Sequence, residues 1–160
     1  EYTHMMKITL ITLGKLKESY WKAAEKEYLK RLSIYAKLEI IELKEIPFSH
    51  ISQTDAVRKK EAEQLQKHIP KNATVIALHE QGKTHTSKAF ADFLEGQTTH
   101  GEHIVFVLGG PLGLDRNFLN TTTHQLSLSS LTFPHQMVRT ILLEQLYRAH
   151  TIISGKQYHY

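Results

Sequence analysis

The chain has 160 residues, 22% charged and 41% hydrophobic, with a formal net charge of +4; that is room for one well-formed domain and short for two. Cysteine is absent, which removes disulfides and thiolate chemistry and fits a cytoplasmic protein. No apolar run nears the roughly 20 residues of a membrane span, no signal-peptide pattern is present, and the mild positive charge permits a polyanionic partner without requiring one.

Residues 1–5 precede Met6-Lys7-Ile8 and are expected to be a leader or cloning remnant, which leaves 6–160 as one domain. Lys7 to Leu13 alternates and is rich in β-branched residues, so it predicts a first strand ending at Gly14. Tyr20 to Ser33 has helical spacing, with a lysine-rich opposite face. Lys37 to Leu43 predicts a second strand, closed by Pro47, and Ile46 to Ser52 reads as irregular. Asp55 to His68 is strongly charged with few apolar positions, which predicts a solvent-facing helix. Thr74 to Leu78 predicts a third, buried strand leading to Glu80-Gln81-Gly82-Lys83. Ser87 to Leu94 predicts a helix that stops at Gly96. Ile104 to Leu108 is a fourth strand, followed by a short helix near Arg116 to Thr123 and a short strand at Gln125 to Leu128. Pro134 to about Ser154 is the longest helix, with proline favourable in its first turn.

Strands and helices alternate throughout, which predicts an α/β fold with a mainly parallel sheet and helices on both faces. The last helix carries a wide apolar arc of Val138, Ile141, Leu142, Leu146, Ala149 and Ile152, extended by Leu143 and Tyr147. One sheet face needs a narrower stripe, so a second covering surface is expected, and a homodimer would supply it.

Ligands of parallel sheets bind where the chain leaves the carboxyl ends of the strands. Two such exits stand close in sequence: Gly109-Gly110-Pro111-Leu112-Gly113 after the fourth strand, and Ser127 to His135 after the fifth. They are expected to share one pocket, although glycines in the first also suit a plain turn. The spacing is not the dinucleotide fingerprint, and Gly82-Lys83-Thr84 lacks the upstream glycine of a phosphate loop, where Ala77 stands instead. The chain has 11 histidines. The pairs His79/His85 and His100/His103 lack carboxylate partners at ligand spacing, so no metal is expected. On the last helix, His135 and Arg139, and Glu144 and Arg148, are i,i+4 pairs. Inside an apolar helix they are candidates for anion recognition or proton handling, and for Glu144 and Arg148 the plain alternative is a structural ion pair. The tail Tyr158-His159-Tyr160 carries enough aromatic character to dock.

At these residues the chain resembles a known family. Met6-Lys7-Ile8 with Gly14-Lys15, Leu108-Gly109-Gly110-x-x-Gly113-Leu114, Ser127-Leu128-Ser129 with Thr132-Phe133-Pro134-His135, Arg139 through Arg148-Ala149, and Tyr158-His159 are similar to the RlmH family. The resemblance covers essentially everything after Met6. It implies a SPOUT-type α/β knot, with the C-terminal segment threaded into a trefoil, a feature that general folding rules argue against. It implies S-adenosylmethionine as cofactor and methylation of N3 of a pseudouridine in large-subunit (23S) ribosomal RNA on assembled ribosomes. It also implies an active site completed across a homodimer. By motif, the cofactor pocket would use Leu78, Gly110, Ser129, Ser130, Leu131, Thr132, Phe133 and Pro134. His135 or His159 would assist proton removal, Arg148 would stabilise negative charge, Glu144 would orient Arg148, and Tyr158 would pack against or hydrogen-bond the target base. Tyr160 departs from the family, whose tails commonly carry a basic residue there. The competing class is an RNA- or ribosome-binding module that keeps the fold without catalysis.

Overall fold

The computed structural model describes residues 5–98 and 103–160; His100 of the expected pairings falls outside them. The elements are β1 (Met6–Leu13), α1 (Ser19–Leu32), β2 (Ala36–Leu43), a single 3-10 turn (Ile51–Gln53), α2 (Thr54–His68), β3 (Thr74–Lys83), α3 (Ser87–Thr98), β4 (Ile104–Leu108), α4 (Arg116–Thr121), β5 (His124–Leu126) and α5 (His135–Ile153). The sheet order is β2-β1-β4-β3-β5, and every neighbouring pair is parallel. All five residues of β4 are buried, as expected for a parallel strand covered on both faces.

Side chains alternate across a strand, so the sheet divides its apolar residues between two layers. Ile8, Leu10, Ile76, Ile104 and Phe106 face one core with α1, α3 and α5; Ile11, Leu13, Ala77, Val105 and Val107 face the other with α2 and α4.

Several expectations change here. The helix from Thr54 is not simply solvent-facing: Val57, Glu61, Ala62 and Leu65 are buried against the sheet. Spaced at about one helical turn, they form a narrow stripe within a charged sequence. Much of the wide apolar arc of α5 is covered within the chain, while Ile141 belongs to neither core. The helix lies among α1, α3 and the sheet, burying Leu142, Leu143, Leu146 and Ala149 completely, so its width alone no longer calls for a second subunit. Gly96 does not end α3, which continues to Thr98; a lone glycine weakens a helix by about 1 kcal/mol without stopping it.

β3 runs further than its apolar segment. Leu126 is matched in register to both Leu78 and Lys83, with residues 79–82 bulged between them. Ser127 N–H donates to the Lys83 carbonyl at 3.0 Å. The backbones cross so closely that a Cβ on Gly82 would lie 2.7 Å from the Gln125 carbonyl carbon. Gly82 is therefore a crossing point, where only hydrogen fits.

Candidate active site

The carboxyl ends of β1 and β4 open onto the glycine-rich loop. Gly113 has φ +79°, a conformation that favours glycine, and its N–H closes a turn on the Gly110 carbonyl at 3.0 Å. Helix α2 holds this loop from below, with Arg58 Nε donating to the Leu112 carbonyl at 2.7 Å. One turn along the same helix, Glu61 is 4% exposed. A Cβ on Gly110 would lie 3.6 and 3.8 Å from its two carboxylate oxygens and 3.7 Å from Leu13 Cβ. His135, at the start of α5, reaches the same place, its Nε2 donating to the Leu13 carbonyl at 3.2 Å. A carbonyl only accepts, so in the neutral ring Nδ1 keeps a free lone pair. Neither Arg58 nor Glu61 was expected here; their only signal is the Val57, Glu61, Leu65 spacing.

The other cofactor candidates surround this exit unevenly. Leu78 is half-buried and packs into the core shared with α5. Ser129 and Phe133 are half-buried; Ser130, Leu131, Thr132 and Pro134 are exposed, Leu131 by 73%. Ser127 Oγ donates to the Ser129 carbonyl at 3.0 Å, and Leu131 N–H donates to Ser129 Oγ at 3.0 Å. Beyond that bond, no hydrogen bond reaches the backbone of residues 130–133 among the described residues. In sheet order β3 separates the two strand exits. The cleft at the β1 and β4 ends, lined by Thr12, Gly14, Leu108 and His135, holds only about 10 Å³. A larger cavity of about 630 Å³ lies elsewhere, at the β5 edge among Lys83, His85, Phe93 and His124. It touches none of the expected site residues.

Arg139 is not a free anion-binding group. It is 4% exposed and bonded at 2.7 Å to both Glu25 of α1 and Glu42 of β2. Burial raises the Glu25 pKa even so, with Arg139 only partly opposing it. This pairing ties three elements together behind the exit and leaves His135 without an arginine partner.

A second polar group gathers at the far end of α5. Glu144 Oε1 accepts from Arg148 Nη2 at 2.6 Å, Arg148 Nε at 2.9 Å and the Tyr158 hydroxyl at 3.2 Å. Gln145 donates to the other Glu144 oxygen at 2.9 Å. The Arg148 guanidinium sits 4.9 Å above the Tyr158 ring, which also packs edge-on against Tyr147. Burial, reinforced by the Glu144 charge, raises the Tyr158 pKa, so the phenol stays a neutral donor. Arg148 Nη1 donates to His159 Nδ1 at 3.0 Å. That fixes the neutral His159 ring with its proton on Nε2, as a donor facing outward. Tyr160 is fully exposed beyond it.

Thirteen residues separate His135 from Arg148, about 20 Å along a helix rising 1.5 Å per residue. One chain therefore gathers Glu144, Arg148, Tyr158 and His159, and keeps His135 with Gly110 and the 129–134 segment at the other end.

This arrangement has relatives. Residues 6–159 match the family model described as a predicted SPOUT methyltransferase. The chain belongs to the SPOUT methyltransferase family. Two similar proteins, from Halothermothrix orenii and Clostridium botulinum strain Kyoto, are each 44% identical over 158 residues, covering 96% of this chain and 99% of theirs. A third, from Acetivibrio thermocellus, is 45% identical over the same shares. All three are named ribosomal RNA large subunit methyltransferase H. A solved structure described as a probable methylase family protein from Haemophilus influenzae Rd KW20 superposes with TM-score 0.55 at 14% identity, covering 97% of this chain and 71% of that one. That likeness shows a shared fold. A SPOUT methyltransferase needs a methyl donor. Apart from the Leu131 N–H, the backbone groups of 130–133 have no hydrogen bond among the described residues, Leu78 and Phe133 are half-buried apolar side chains, and Gly110 has no side chain over Glu61.

Proposed function

We propose that this protein methylates N3 of a pseudouridine in large-subunit ribosomal RNA, on assembled ribosomes in the cytoplasm, as a homodimer with a threaded C-terminal segment. The observation that carries the reading is the match to relatives named for large-subunit ribosomal RNA, 44% identical over 158 residues and spanning 96% of this chain.

When bound, the cofactor supplies a methyl group on a sulfonium, whose transfer to nitrogen leaves a neutral thioether. The chain must hold the acceptor in line and take the N3 proton. Of the two candidate bases, His135 offers a free Nδ1 lone pair, whereas His159 presents an N–H. We therefore assign proton removal to His135. Arg148, held by Glu144, and His159 stabilise charge developing on the base carbonyls, with the neutral Tyr158 hydroxyl fixed by the same carboxylate. Because the two groups lie about 20 Å apart on one helix, the working site takes His135 and the cofactor loops from one subunit and the tail from its partner.

The test is mass-spectrometric mapping of ribosomal RNA after incubation of ribosomes with the protein and labelled S-adenosylmethionine. A single methylated pseudouridine in the large-subunit RNA is the expected result. No label in that RNA, alongside intact cofactor binding, overturns it.

A further inference from the structure

Of the buried ionisable groups the mechanism leaves unused, Glu61 is the one beneath the glycine-rich loop. Glu61 is nearly inaccessible, yet its only hydrogen bond among the described residues comes from the Ile46 N–H, a long 3.3 Å contact to Oε2. Among the described residues its Oε1 accepts no protein hydrogen bond and stays in contact with solvent, and no lysine or arginine forms an ion pair with it, His135 being the nearby group that can offset its charge. Arg58, one turn away, spends its Nε on the Leu112 carbonyl instead, and His135 gives its Nε2 to Leu13. A carboxylate with so few donors is costly to bury. Such groups concentrate where a ligand supplies the missing partner. Glu61 lies beneath Gly110, where no side chain intervenes between backbone and carboxylate. It thus sits between the glycine-rich loop and the start of α5, the two walls of the proposed cofactor pocket.

We propose that Glu61 receives the ammonium group at the amino-acid end of the methyl donor. This rests on the cofactor reading above. The donor carries two cationic centres, and the geometry chooses between them. Glu61 is closed over by α2 and the segment around Ile46. A sulfonium held there would shield its methyl from any RNA base. The ammonium needs no access to the second substrate, so the floor of the pocket suits it. A primary ammonium brings three donors, enough for Oε1 and for neighbouring carbonyls at the strand ends.

Calorimetry tests this on the full chain with three ligands: S-adenosylmethionine, S-adenosylhomocysteine and 5′-methylthioadenosine, which lacks the amino-acid end. In Glu61→Gln, affinity for the first two should fall about tenfold to a hundredfold, the range of a lost charge-assisted hydrogen bond. Affinity for 5′-methylthioadenosine should stay within about twofold of wild type on the same reasoning. A variant-free arm uses wild type and an S-adenosylhomocysteine analogue with hydrogen in place of the ammonium. It should bind at least about tenfold more weakly than its parent. Equal weakening for all three ligands, no weakening at all, or full affinity for the deaminated analogue overturns the assignment while leaving the cofactor reading intact. Wild type that binds none of the three overturns both.

Discussion

Two buried residues with opposite charge behaviour give the molecule its pH response. His150 is 6% exposed, stacks on Tyr35 at 5.4 Å, and burial lowers its pKa from 6.5 to about 4. Between those values the unfolded chain holds the extra proton, so stability is present above pH 6.5 and is lost as pH falls towards 4. The shift corresponds to an amount on the order of 3 kcal/mol. Urea unfolding across pH 4 to 8 should show this slope in wild type and a flatter profile in His150→Phe, which keeps a ring against Tyr35. Glu61 runs the other way. Burial raises its pKa above 4.5, so the fold favours the protonated acid and loses stability as pH rises through the raised value. Glu61→Gln should therefore melt higher than wild type at pH 7, with the difference vanishing below pH 4.5. The same substitution that weakens the donor's grip would strengthen the fold, as expected for a group kept for binding rather than stability. Such roles were hard to see in the sequence. Glu61 sits in a strongly charged stretch and His150 near the end of an apolar helix, and only the packing of α2 and α5 reveals which way each one faces.

At the scale of elements, two glycines in similar polar surroundings have opposite consequences. Gly82 lies at the crossing of residues 79–83 with β5, whereas Gly96 lies in α3, where an added methyl group would meet nothing within 4 Å. Gly82→Ala should destabilise by about 1–3 kcal/mol or more, because backbone rather than a flexible side chain must move. Gly96→Ala should stabilise by about 0.5–1 kcal/mol through helix propensity. Thermal melts of both variants check the pair. From sequence, Gly96 looks like a helix stop and Gly82 like part of a failed phosphate loop. Local rules cannot see the crossing, since it is made by Gln125 and Leu126, more than forty residues away. The sheet was far more legible. β1 and β4 appear where the apolar runs stand, because a parallel strand buried on both faces advertises itself residue by residue, and the edge strand β2 shows itself by its alternation. Strand order and the continuation of β3 to Lys83 depend on pairing partners and are silent in any single segment.

The whole molecule divides its candidate chemistry between the two ends of α5, and that division has a measurable consequence for the proposed dimer. His135→Ala and Arg148→Ala should each be inactive alone on ribosomes. Mixed after subunit exchange, about half the dimers are hybrid, and each hybrid has one site free of both changes, so about a quarter of wild-type turnover should return. No recovery, with exchange verified by mass, would place each active site within one chain. The tail cluster was readable as residues but not as a unit. Glu144 and Arg148 show their i,i+4 spacing, whereas the bonds from Tyr158 and Arg148–His159 depend on the chain turning back after Gly155, at φ +71°. The placement of α5 among α1, α3 and the sheet also bears on how the molecule is made. This helix supplies the inner layer of one core, yet it is translated after every strand it covers. A nascent chain therefore carries an open apolar trough until α5 emerges, and the contacts of α5 with α1 and α3 span long sequence distances. High contact order of this kind slows folding and leaves the emerging chain dependent on shelter from aggregation during synthesis.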